Sequence, residues 1–300
     1  MHAVWNILLK TADDPLRTAG RGMLVGAGFL IPIAFVGWLV AGRPAIPDGA
    51  WRLAVLSGAL EAAYFVFLSA AYRRGDLSLV YPIARGTAPV LSVAVGVLVL
   101  GERLELAGWI GVGLLLAGIL TLQKPWAVFR RSSRMPRHLR EAATFALLTG
   151  VTITAYSAVD RDGARLIDPL FYAALLWTFT TIFLLSWIGL VIRRDRGRAA
   201  APETAAVVPS SGPSSGLLSR SWARAGIGGL ITVAAYLFVL VAYRYAPLTA
   251  VAPLRESAIV IISGWGSFRL KEARGRCDAT VRMGVALVIV AGALLLATEG

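Results

Sequence analysis

The sequence predicts an all-α, polytopic membrane protein built from two inverted five-helix repeats. Three observations predict this class: an apolar composition, regularly spaced apolar runs and an internal repeat. Of 300 residues, 57% are hydrophobic and 16% are charged, and the mean hydropathy is +0.70. Soluble globular chains are roughly 45–50% apolar and about 25% charged. The composition therefore excludes a soluble enzyme, a disordered chain and a disulfide-rich secreted scaffold.

Apolar runs of membrane-spanning length follow one another along the whole chain. A helix needs roughly 20 apolar residues to cross the hydrocarbon layer. Nine runs qualify, at residues 23–41, 52–72, 77–100, 105–122, 139–159, 169–192, 223–243, 248–268 and 280–297. A shorter run at 2–10 comes first and covers only about half of the bilayer. We expect its true start to lie upstream, which gives about ten spans with the first one truncated.

The second half of the chain repeats the first with a shift of 171 residues. Residues 51–83 lie over 222–254, with Trp51 on Trp222, Tyr72-Arg73 on Tyr243-Arg244 and Pro82 on Pro253. Each repeat holds five spans, and because five is odd the second copy enters the membrane from the opposite side. Inverted repeats of this kind are typical of secondary transporters. We predict a first repeat at 1–123, a basic linker at 124–140 and a second repeat at 141–300 with a flexible loop at 194–221.

Several motifs resemble the EamA family of the drug/metabolite transporter superfamily. They are Gly75 to Arg85, Ala88-Pro89-Val90, Leu100-Gly101-Glu102-Arg103, Gly111 to Gly118 and, in weaker form, Ala252 to Ser257. The resemblance covers nearly the whole chain, and its most specific part is the block from Pro82 to Arg103. It implies ten helices in two inverted repeats that move small metabolites, often outward, across the cell membrane. The chain departs from the family pattern in its short first span and in the long 194–221 loop.

Ionisable residues inside spans are costly and usually face a cavity or a partner. Four such residues are present: Glu61, Arg85, Arg255 and Glu256. In the functional interpretation the two arginines hold an anionic group of a substrate, and Glu256 or Glu61 is protonated in turn to couple proton movement. In the structural interpretation Arg–Glu pairs only fix helix packing. Arg85 and Glu256 are equivalent under the shift of 171, so we expect them near one another at the repeat interface. Both follow a proline (Pro82 or Pro253), which we expect to open the helix locally.

Further side chains are candidates for the same cavity. Tyr64 lies three residues after Glu61, so both can share a helix face. Tyr81 and Trp5 are aromatic candidates, although aromatic residues in spans more often pack or form interfacial belts. Asn6 and Lys10 lie four residues apart in the first run and resemble the first-span signature of one EamA branch.

Other features of the sequence indicate structure rather than chemistry. We expect Glu102 and Glu272, at the ends of matching spans, to anchor the turns that follow them. Glycines spaced by four or seven residues, such as Gly22 with Gly26 and Gly111 with Gly118, indicate close helix packing or a dimer face. One cysteine and two distant histidines argue against a metal site. We expect no cofactor, no metal and no enzymatic activity.

The sequence leaves three functions open: a secondary transporter of a small, anionic metabolite; a structural or sensory membrane protein; and a membrane enzyme without a recognisable motif. The net charge of +13 bears on partners and on orientation. With ten spans, 22 Lys and Arg residues lie in the odd-numbered connections and 6 in the even-numbered ones and the C-terminus. We therefore predict that the odd-numbered connections, including 123–140 and 194–221, are cytoplasmic. The predicted partners are the lipid bilayer and a small-molecule substrate, and not nucleic acid.

Overall fold

The computed structural model describes residues 8–9, 12–123, 136–199, 220–255 and 276–297, and these residues form long helices without a strand. The main helices are α1 (Pro15–Val40), α2 (Asp48–Arg74), α3 (Leu77–Leu98), α4 (Leu106–Gln123), α5 (Arg137–Leu166), α6 (Pro169–Ala199), α7 (Arg220–Tyr245) and α8 (Arg276–Ala297). Residues 248–255 form a further helical segment. Among the described helices, six are long and apolar enough to cross a membrane, and α4 and α8 contain shorter apolar stretches. The prediction of an all-α, polytopic membrane protein is confirmed.

Several helices extend beyond the apolar runs that predicted them. α1 begins at Pro15 instead of residue 23, because the Asp14 carboxylate accepts the N–H of Leu16 at 3.0 Å and Pro15 occupies the first helical position. α5 continues past residue 159 to Leu166, so its last two turns include charged residues. The charge that ended the apolar run did not end the helix.

The predicted local openings at Pro82 and Pro253 are wrong, because both prolines lie inside helical segments. α3 stays helical through both Pro82 and Pro89. In a packed bundle, neighbouring helices hold such a helix in place despite the lost backbone hydrogen bonds. The predicted linker 124–140 ends inside α5, which starts at Arg137, and the predicted loop 194–221 is shortened by α6, which runs to Ala199.

The packing of the helices matches two copies in opposite orientations. α1 and α6 are antiparallel neighbours: Gly20 near the start of α1 packs on Ile188, and Gly37 near its end packs on Leu170. Both helices begin with Asp-Pro-Leu, and in each the aspartate caps the following turn, as Asp168 does at 2.9 Å from the N–H of Leu170. Equivalent sequences therefore start on opposite sides of the bundle.

Two glycines related by the 171-residue shift make equivalent close contacts. Gly58 of α2 lies against the backbone of Phe179 and Thr180 in α6, and Gly229 of α7 lies against the backbone of Gly22 in α1. The expected close packing at Gly22 is confirmed, and it joins the two repeats. α4 and α8 pack on each other at the side of the bundle, where Gly111 meets the carbonyl of Gly292.

The two ends of the bundle differ in their connections. The short-turn face carries the turns at 41–47, 99–105, 167–168 and 246–247. The long-connection face carries the start of α1, the turn at 75–76 and the start of α5, and there Arg73 contacts Asp14 at 2.9 Å and Arg74 contacts Glu141 at 3.3 Å. These faces correspond to the even-numbered and odd-numbered connections of the sequence.

Candidate functional site

A narrow cavity lies near the middle of the bundle, where the described helices α1, α2, α3, α5, α6 and α7 converge. Its lining residues are Met23, Glu61, Tyr64, Phe65, Arg85, Tyr156, Trp177, Thr232 and Tyr236. The centre of a water molecule can occupy only about 20 Å³ of it, which is room for roughly one water. Among the described residues, the space between these side chains is thus too small for a metabolite.

Charged groups of opposite sign line this cavity. Glu61 of α2 is 6% exposed and Arg85 of α3 is 3% exposed. The hydroxyl of Thr180 in α6 donates to Oε2 of Glu61 at 3.0 Å. A buried charge is costly without polar contacts. A hydrogen bond between α6 and α2 thus holds the Glu61 carboxylate beside the cavity.

Arg255 reaches the same region from the second repeat. Its Nη1 donates to the hydroxyl of Ser157 in α5 at 3.3 Å. Arg255 and Arg85 both lie within electrostatic range of Tyr156, as does Glu61. Tyr156 is therefore the common neighbour of three of the four predicted intramembrane charges.

A fully buried carboxylate, Asp160 of α5, lies next to this group and was not predicted as a site residue. The hydroxyl of Tyr172 donates to its Oδ1 at 2.9 Å, and the hydroxyl of Tyr236 donates to its Oδ2. Asp160 and Glu61 are within electrostatic range of each other. Asp160 lies just beyond the predicted span, because the apolar run ends at residue 159. The Asp-Pro cap of α6 at residues 168–169 was the signal that α5 continues through it.

Aromatic rings form one wall of the cavity. Trp177 lies 6.0 Å from Tyr236, Tyr236 lies 6.0 Å from Tyr156, and Tyr156 lies 5.9 Å from Tyr64, measured between ring centroids. These spacings are those of interacting aromatic pairs. The rings supply a rigid apolar surface beside the charged groups.

The structure places the predicted site residues as follows. Glu61, Tyr64 and Arg85 line the cavity, and Arg255 lies beside it. Tyr81 is half-buried and is not among the lining residues. Four predicted residues lie outside the described part of the chain: Trp5, Asn6, Lys10 and Glu256. The predicted proximity of Arg85 and Glu256 stays a prediction.

Thr180, Thr232 and Tyr236 are further lining or contacting residues that sequence reasoning missed. One signal was available for Thr232, which is the equivalent of Glu61 under the 171-residue shift. The described residues contain no group of three or more His, Cys, Asp or Glu side chains that could hold a metal ion.

Comparisons with known proteins agree with this architecture. The sequence model of the EamA-like transporter family matches residues 1–123. The resemblance to this family that the sequence shows is thereby confirmed over residues 1–123. The fold is that of a polytopic helical membrane protein whose cavity lies between two halves.

Named relatives are similar over shorter stretches. A spermidine export protein, MdtI, from Shigella flexneri is 41% identical over 69 residues, which are 23% of this chain and 63% of that protein. An uncharacterized transporter of a Sinorhizobium species is 37% identical over 77 residues, which are 26% of this chain and 54% of that protein. The chain thus spans between half and two thirds of the length of these relatives.

One crystal structure is similar over almost the entire fold. It matches 98% of this chain and 94% of its own chain with a TM-score of 0.64 and 17% sequence identity. Because the identity is low, this likeness shows the fold alone.

Proposed function

We propose that the protein is a secondary active transporter of the cell membrane that moves a small metabolite, in the outward direction, by alternating access between its inverted repeats. The observation that carries the proposal is the narrow cavity, lined by Glu61 and Arg85 of the first repeat and by aromatic residues of the second. A cavity at a repeat interface near mid-membrane is where secondary transporters bind substrate. The EamA match and the relatives named as transporters support it.

The charged residues have distinct proposed roles. Arg85 and Arg255 bind an anionic group of the substrate, because guanidinium groups favour oxyanions. Glu61 binds and releases a proton as the cavity changes its exposure, which couples transport to the proton gradient. No bond in the substrate is made or broken, so the proposed function is not enzymatic.

Proteoliposomes loaded with pH dye provide the test. The panel contains small carboxylates, zwitterions and spermidine, because the relatives named as spermidine exporters make a polycation the competing substrate. We expect substrate-dependent proton movement with a substrate that bears an anionic group. Transport of spermidine alone would contradict the proposed role of the arginines.

Matched variants assign the flux to the cavity. Arg85→Gln should reduce flux at least tenfold, and Glu61→Gln should abolish the proton movement. Arg52→Gln is the control for the arginine, since Arg52 is exposed at the start of α2. Unchanged flux in both cavity variants would overturn the proposed site.

A further inference from the structure

Glu102 connects the two repeats at the short-turn face. Its side chain is 2% exposed. Its Oε1 accepts the N–H of Leu248 at 2.8 Å, and its Oε2 accepts the N–H of Thr249 at 3.0 Å. The first N–H groups of a helix have no partner within the helix. A carboxylate from the turn after α3 therefore caps the helical segment 248–255, and it does not anchor its own following turn as the sequence suggested.

A third element meets the same carboxylate. Nε of Arg161, near the end of α5, lies 3.1 Å from Oε1 of Glu102. One turn later Arg165 donates to the carbonyl oxygens of Tyr243 and Ala246, at 3.1 and 3.3 Å. The end of α5 thus binds the turn after α3 and the end of α7.

The local sequence places Glu102 for this contact. Gly101 has a φ of +64°, a left-handed conformation that glycine adopts without steric cost, and so the chain can turn back beneath α3. Gly96 leaves the space that the carboxylate fills, because a Cβ there would lie 2.6 Å from Oε2 of Glu102. Gly101 and Gly96 thus allow the turn to place the Glu102 carboxylate against the second repeat.

We propose that Glu102, Arg161 and the N–H groups of Leu248 and Thr249 form an inter-repeat latch that closes the cavity toward the short-turn face. The helical segment that the latch caps carries Arg255 beside the cavity. Movement of this segment away from the turn after α3 breaks both backbone hydrogen bonds that the buried carboxylate of Glu102 accepts. Glu102 does not line the cavity, so it is a positioning residue. This role rests on the proposed function, since it describes one of the two gates that alternating access requires.

Two ion pairs at the opposite face are more exposed than the contacts of Glu102. There the side chains of Arg73 and Asp14 are 46% and 32% exposed, and those of Arg74 and Glu141 are 38% and 42% exposed. Exposed ion pairs are weak and are screened by salt. The buried latch is therefore the stronger of these described closures.

Face-specific labelling of a cavity cysteine tests the latch. Thr232→Cys is placed in a Cys277→Ser background and reacted with a membrane-impermeant thiol reagent from each side of sealed vesicles. Arg103→Cys, in the exposed part of the 99–105 turn, identifies which side is the short-turn face. We expect Glu102→Gln to raise the labelling rate from that face about tenfold, because losing a charge-assisted hydrogen bond shifts an equilibrium by about that factor.

Controls separate the latch from general loosening. Glu105→Gln removes an exposed carboxylate of the same turn and should leave the rate unchanged. Arg161→Gln keeps the helix cap and should raise the rate from the same face, which provides a second variant if Glu102→Gln does not fold. An equal rise from both faces, or no rise in either variant, would overturn the latch.

The labelling needs no substrate, so the two proposals fail separately. A face-specific rise in a protein that transports nothing supports the latch and contradicts the transport function. Active transport with unchanged labelling in the variants supports the function and refutes the latch.

Discussion

The contact between α1 and α7 gives the sharpest test of the packing. A Cβ at Gly229 would lie 2.1 Å from the carbonyl oxygen of Gly22 and within 3.0 Å of two further backbone atoms of that residue. Ordinary contact begins at 3.4 Å, so Gly229→Ala requires the helices to separate by roughly 1.3 Å. No side chain can rotate away, because every one of these atoms belongs to the backbone. Overpacking of this kind costs about 1–3 kcal/mol.

The matched control lies one turn earlier in the same helix. At Gly226 a Cβ would meet only Val25, at 3.5 Å, which is ordinary contact. Both variants gain the same preference of alanine for helix, up to about 1 kcal/mol. The difference in unfolding free energy between Gly226→Ala and Gly229→Ala therefore isolates the overpacking. We expect Gly229→Ala to be less stable by about 1–3 kcal/mol in reversible unfolding by SDS in mixed micelles. Equal stability of the two variants would refute the close approach of α1 and α7.

Two further predictions concern the buried carboxylate and the orientation. Tyr172→Phe removes the hydroxyl that donates to Asp160 and should lower the unfolding free energy by about 1.5–3 kcal/mol. The control Tyr245→Phe, at a residue that is 79% exposed, should leave the unfolding free energy unchanged. Equal unfolding free energies of the two variants would show that the Tyr172 hydroxyl does not stabilise the fold. A topology reporter inserted within 194–221 should read cytoplasmic because of the lopsided distribution of Lys and Arg, and a periplasmic signal would reverse the predicted orientation.

Much of the architecture follows from one-dimensional patterns. Apolar runs predict spans because a bilayer demands about 20 apolar residues, whatever the neighbours are. Matching Trp, Tyr-Arg and Pro residues predict the repeat, and the odd number of spans predicts its inversion. The contacts of Gly58 and Gly229 agree with both, since equivalent glycines pack equivalent helix pairs.

The candidate site was predicted only in part. Intramembrane charge identified Glu61, Arg85 and Arg255, because an ionisable group in a span needs a polar environment. Intramembrane charge did not identify Asp160, because the apolar run ends at residue 159 and hydropathy alone does not show that the helix continues past it. It also missed Thr180 and Tyr236, because no periodicity in a single helix indicates which hydroxyl on another helix reaches a carboxylate.

Glu102 shows the limit of local reasoning most clearly. In sequence it stands beside Arg103 at the end of a span, and a role in its own turn was the natural prediction. In the structure its partners lie 146 and 147 residues away in the second repeat. The sequence by itself predicted the membrane-spanning class, the internal repeat and the likeness of residues 1–123 to the EamA-like transporter family, because these predictions depend on composition, period and motif. The tertiary structure decided which charges share the cavity and which carboxylate joins the repeats, because burial and hydrogen-bond geometry arise only when distant helices pack together.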